Sequence, residues 1–150
     1  MAKTMTDVLI SVVWVIILIL VAFEDLRNFQ IRNEAVVALV VLFLLRAAIG
    51  GRYWEAFSHS AFAAVMFGVL LFMYSRGLLG GGDVKLLGAA FLWLGISQSF
   101  LFSLFFLAFT ITYGLFAKLG LVPKRATAAG TKIPLGPCIA AAWFAAHIFG

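Results

Sequence analysis

Long apolar runs separated by short polar stretches organise this chain of 150 residues. The first run, Val8–Phe23, stops at the polar stretch Glu24–Glu34. The second, Ala35–Ile49, closes on Gly50-Gly51-Arg52. The third goes from Phe57 to Tyr74 and meets the glycine-rich segment Ser75–Asp83. Runs of this length without strict apolar/polar alternation predict membrane-crossing helices rather than a closed barrel. Leu86 to Ala117 is about 32 residues; as one helix it would reach about 48 Å, against a hydrocarbon core of about 30 Å. Its only polar interruption is Gly95-Ile96-Ser97-Gln98-Ser99, where a tight turn is expected to separate a fourth span from a fifth. The sixth span is Ile133–Phe149, with Pro134 near its first turn, where a missing N–H costs little. The expectation is an all-α polytopic membrane protein of about six transmembrane helices, forming a single domain over residues 1–150.

Composition strengthens this picture. Hydrophobic residues make up 65% of the chain and charged residues 11%, with a mean hydropathy of +1.14. A soluble domain carries about 25% charged residues, so a water-facing surface is excluded. The first run lacks a small-x-small cleavage site and reads as a retained helix. The net charge of +5 comes from basic residues in short loops, which act as topology signals. Arg27 and Arg32 follow the first span, Arg76 and Lys85 the third, and Lys118, Lys124, Arg125 and Lys132 the fifth. These loops share one face, expected to be cytoplasmic, with both termini on the other; Arg46 and Arg52 weaken the asymmetry without reversing it. No basic, aromatic-interleaved surface suggests nucleic acid. The single Cys138 forms no internal disulfide, and His59 and His147 lack a metal spacing. No metal or cofactor is expected.

Only six acids occur: Asp7, Glu24, Asp25, Glu34, Glu55 and Asp83. An acid near membrane depth is costly and points to function. The spans put Asp25 at the end of the first helix and Asp83 at the start of the fourth, on one face although 58 positions apart. Two such carboxylates can share the work of hydrolysis, one ionised to activate water and one protonated to polarise a carbonyl. The plainer reading is a pair of interfacial caps, with Asp83 as an N-cap. Gly80-Gly81-Gly82-Asp83-Val84-Lys85 fits G-x-G-D, in which glycines are expected to permit positive φ and close approach of a substrate chain. No P-loop is present.

These residues resemble the type IV prepilin peptidases. In that family the first aspartate follows a first helix and precedes a basic, Ile-Pro-Asn-like stretch, here Phe23-Glu24-Asp25-Leu26-Arg27-Asn28-Phe29-Gln30-Ile31-Arg32-Asn33. The second ends G-x-G-D, matching Asp83, often with a lysine such as Lys85. A late Ile-Pro-x-Gly-Pro segment matches Ile133-Pro134-Leu135-Gly136-Pro137. Arg32 departs from the family, which usually has proline there. The resemblance implies a membrane aspartic endopeptidase that removes the leader of a prepilin-like substrate, with water held between Asp25 and Asp83. It implies substrate-binding or loop-shaping roles for Gly80, Gly82, Lys85, Glu24, Arg27, Asn33, Pro134, Gly136 and Pro137, with Glu24 and Glu34 as acids available to a basic leader. The helix ends at which the two acids lie suggest that a shared proton rests more often on Asp25. The absence of paired C-x-x-C motifs indicates the short form without methyltransferase activity. Rival readings are another G-x-G-D intramembrane protease, which would bring a Tyr-Asp motif, and a non-enzymatic transporter or assembly subunit, which would place its acids at mid-span.

Overall fold

The structure, a computed structural model, describes residues 2–121, 125–127, 130–132 and 134–150. The elements among them are α1 (Ala2–Asn28), α2 (Asn33–Gly50), α3 (Tyr53–Ser75), α4 (Gly81–Lys118), β1 (Arg125–Thr127), β2 (Gly130–Lys132) and α5 (Gly136–Phe149). In α1 the buried residues are Ile10, Trp14, Leu18, Val21 and Asp25. Steps of three and four residues put them on one stripe, and Asp25 is its last member. The opposite side, including Val12, Ile16, Ile19 and Phe23, is exposed, as expected of a surface solvated by lipid tails. Gly51 ends α2 in the left-handed region (φ 63°), its N–H meeting the carbonyls of Ala47 and Ala48.

The expected count of six separate spans is corrected. Among the described residues there are five helices. Four of them are long and apolar enough to cross a membrane: Met5–Asn28, Asn33–Gly50, Tyr53–Ser75 and Gly81–Lys118. The protein is a polytopic membrane protein. The expected fourth and fifth spans are the two helical stretches of α4, which join at Gly95 (φ 58°, ψ −165°) with no loop between them. The polar residues assigned to a turn are helical instead. Ser99 Oγ donates to the Gly95 carbonyl, and Ser103 Oγ to that of Ser99 at 2.8 Å. Beyond Gly95 the helix runs back along α5. Gln98 lies against Gly150 at one end, and Cys138 Sγ lies 3.7 Å from the Phe109 carbonyl toward the other. The break falls at the start of the expected turn, but it is one non-helical residue rather than the whole of Gly95–Ser99.

Two further details differ. Two short antiparallel strands, Arg125–Thr127 and Gly130–Lys132, lie within the segment read as a basic loop. The last helix has 14 residues and starts at Gly136, so Pro137, not Pro134, occupies its first turn. Ile133 and Lys124 lie outside the described residues. Despite its length α5 is central, with Cys138, Ile139, Ala140, Ala142, Trp143, Ala145 and Ala146 all buried. Trp143 meets Trp14 and Trp93 edge-on, with ring centroids 5.8 and 6.3 Å apart. This cluster fixes α1, α4 and α5 together, and so fixes the ends that carry the acids.

Candidate active site

Asp25 is only 4% exposed. It continues an otherwise apolar stripe, where an acid is expensive unless its oxygens have partners. One partner comes from the far end of the chain: the Gly136 N–H donates to Asp25 Oδ2 at 2.8 Å. This N–H belongs to the first turn of α5, where backbone donors lack carbonyl partners within the helix. The approach requires glycine. A Cβ on Gly136 would lie 2.8 Å from both Cβ and Oδ2 of Asp25.

Asp83 stands at the third position of α4, behind the N-cap Gly80 (φ −76°, ψ 148°). Its carboxylate folds back toward the helix start, where the backbone dipoles favour negative charge. Asp83 is therefore not itself the N-cap. Here too a glycine makes room, since a Cβ on Gly80 would lie 2.7 Å from Asp83 Oδ2. Gly82 admits the Ile31 side chain, whose Cβ would be 3.2 Å from an added Cβ. None of Gly80, Gly81 and Gly82 has a positive φ. The expectation of left-handed backbone in G-x-G-D was wrong: these glycines serve close approach alone.

Asp25 and Asp83 line one cleft of about 200 Å³, together with Phe29, Gln30, Ile31, Gly80, Gly81, Gly82, Pro134 and Leu135. Phe29 leaves α1 in the left-handed region (φ 55°) while its N–H still donates to the Asp25 carbonyl at 2.9 Å. That conformation is uncommon for a bulky residue. It turns Phe29, Gln30 and Ile31 over the cleft. Pro134 is fully buried beside them.

The other candidates from sequence lie around the cleft rather than in it. Lys85 points away and donates to Asn33 Oδ1 at 2.9 Å, tying α4 to the start of α2. Arg32 bridges Glu24 at 3.5 Å and Glu34 at 3.2 Å. These carboxylates, Glu34 first, raise the Arg32 pKa above its ordinary value, so the guanidinium stays charged. Arg32 and Glu34 are exposed and Glu24 partly so, and such surface pairs contribute little to stability. Arg27 is exposed on the last turn of α1. Pro137 lines a separate groove between α1 and α5. Sequence reasoning missed Phe29, Gln30, Ile31 and Leu135 as lining residues of the cleft. Only the positions of Phe29–Ile31, directly after Asp25, carried a signal that could have found them.

Residues 12–117 match the type IV leader peptidase family. The chain belongs to that family. No match is found among curated proteins or among solved structures. The matched region holds Asp25 and the whole of Gly80–Lys85, and it ends before Pro134, Gly136 and Pro137. Family membership implies peptidase activity and a prepilin-like substrate in a membrane setting.

Proposed function

We propose that the protein is an aspartic endopeptidase that cuts prepilin-like precursors at the membrane surface, with Asp25 and Asp83 as its catalytic pair. The observation that carries this reading is that two acids from different helices, far apart in sequence, line the same small cleft. Water between them would lose its proton to one carboxylate and attack the scissile carbonyl. The other carboxyl, protonated, would donate to the carbonyl oxygen and then help release the amine. Asp25 Oδ2 accepts the Gly136 N–H, which holds this carboxyl in position at the cleft.

The basic loops support a cytoplasmic position for the cleft. The leader would reach it from that side, with the apolar helix of the substrate remaining in the bilayer. Phe29, Gln30 and Ile31 form the wall nearest such a chain. The test is cleavage of a prepilin-like precursor by purified protein in vesicles, wild type against Asp25→Asn and Asp83→Asn. Product from wild type and none from either variant is expected. Undiminished product from both variants would exclude the pair.

A further inference from the structure

Below the cleft an apolar groove of about 270 Å³ opens between α1 and α5. Val15, Leu18, Ile19 and Ala22 form one wall; Pro137, Ala140, Ala141 and Phe144 form the other. Both sets follow helical spacing, so each wall is one face of a helix. The helices run in opposite senses, since Trp14 stacks on Phe144 deep in the bundle while Asp25 meets Gly136 at the top. Each wall covers seven residue steps, about 10 Å of helix.

We infer that this groove seats the apolar helix of the substrate and presents the residues preceding that helix to Asp25. The inference rests on the proposed peptidase reading and adds where the substrate lies. Three features support it. The groove leads to the acids: Ala22 is three residues before Asp25 and on its face, and Pro137 follows the glycine that donates to Asp25. Its lining contains no titratable group. Its small residues, Ala22, Ala140 and Ala141, permit the close helix–helix approach that drives association in lipid.

A second groove, of about 360 Å³, lies between α2, α3 and α4 and includes Val40, Ala64, Phe67, Lys85 and Gly88. It suits an apolar helix poorly. Lys85, bonded to Asn33, stands at its head, and a helix entering there would bury an ammonium group.

Ala141 and Ala64 are exposed alanines in the two grooves. Ala141→Phe and Ala64→Phe therefore fill one groove each without entering the core. Cleavage would be measured in vesicles with two substrates, a precursor carrying its apolar helix and a soluble peptide spanning only the scissile bond. Ala141→Phe is expected to raise KM for the helix-bearing precursor about tenfold, leave its kcat, and leave the peptide unchanged; Ala64→Phe is expected to alter neither. A shift below twofold with Ala141→Phe would mean the groove holds only lipid, and a larger shift with Ala64→Phe would place the substrate in the other groove; either overturns the inference. Equal effects on peptide and precursor would also overturn it, since the substitution would then be acting on the catalytic end. If wild type cleaves neither substrate, the peptidase reading fails and the groove assignment with it, an outcome distinct from the others.

Discussion

The two ends of the helical bundle use the same device for opposite purposes. At the cleft end, Gly80 and Gly136 leave space that the carboxylates of Asp83 and Asp25 occupy. At the other end, Gly95 leaves space for a ring: a Cβ there would lie 2.5 Å from His59 Cδ2 and Nε2. His59 in turn stacks on Phe43 and reaches the Leu92 carbonyl at 3.2 Å through Nδ1. Phe43 also meets Trp93, which packs against Trp14 and Trp143 and donates from Nε1 to the Leu39 carbonyl at 2.9 Å. Glycine at one end admits charge into a polar cleft, and at the other it admits close packing. Substitutions at the cleft end should reduce activity more than stability, and at the far end stability more than activity.

The largest effect tests the cleft end directly. Asp83→Asn keeps size and removes the ionisable group, so turnover should fall by about 10²–10⁴-fold, the usual contribution of general acid–base catalysis. Midpoints of thermal unfolding in detergent should stay close to wild type. A large loss of stability with proportionate loss of activity would make Asp83 a structural cap instead.

Gly136→Ala comes next. The added methyl would meet the Asp25 carboxyl and shift it, and a displacement of about 1 Å can reduce rate about 10²-fold. The loss should appear in kcat. Combined with Asp25→Asn it should add little, because the two residues act through one carboxylate. Full additivity would sever the link between them. Gly95→Ala is the far-end counterpart. A positive φ and a close neighbour together should cost about 2 kcal/mol of stability, while the folded fraction keeps its KM. A change in KM with unchanged unfolding would contradict the division between the ends.

The same division explains what was legible in the sequence. The acids at the cleft could be paired from sequence because G-x-G-D is local and the order of the apolar runs puts Asp25 and Asp83 at helix ends on one face. The contact of Gly136 with Asp25 spans 111 positions, and its motif suggested a role without revealing the N–H. Lys85, two steps from Asp83 on the helix, points away from the cleft toward Asn33, a partner that the spacing of the motif does not indicate. At the far end the length of the apolar run and its polar interruption pointed to a break near Gly95, but not to its confinement to one residue. Its neighbours Ile96, Ser97 and Gln98 are compatible with helix, and only the packing against His59 and α5 decides how sharply the chain turns.

The smallest effect concerns the loop that closes the cleft. Arg32 stands where the resemblance calls for proline, and on charge alone the difference looks considerable. Its backbone, at φ −71° and ψ 138°, is already the conformation a proline ring imposes. Arg32→Pro would thus keep the path of Phe29–Ile31 over the cleft. It would lose the bridges to Glu24 and Glu34, which contribute little at an exposed position, against a gain of about 0.4–1 kcal/mol from a stiffer unfolded chain. Stability should change by less than about 1 kcal/mol, with cleavage retained. Arg32→Ala would lose the bridges without the gain and should be the less stable of the two. If Arg32→Pro abolishes cleavage while Arg32→Ala retains it, the loop depends on more than the φ that Arg32 and proline share.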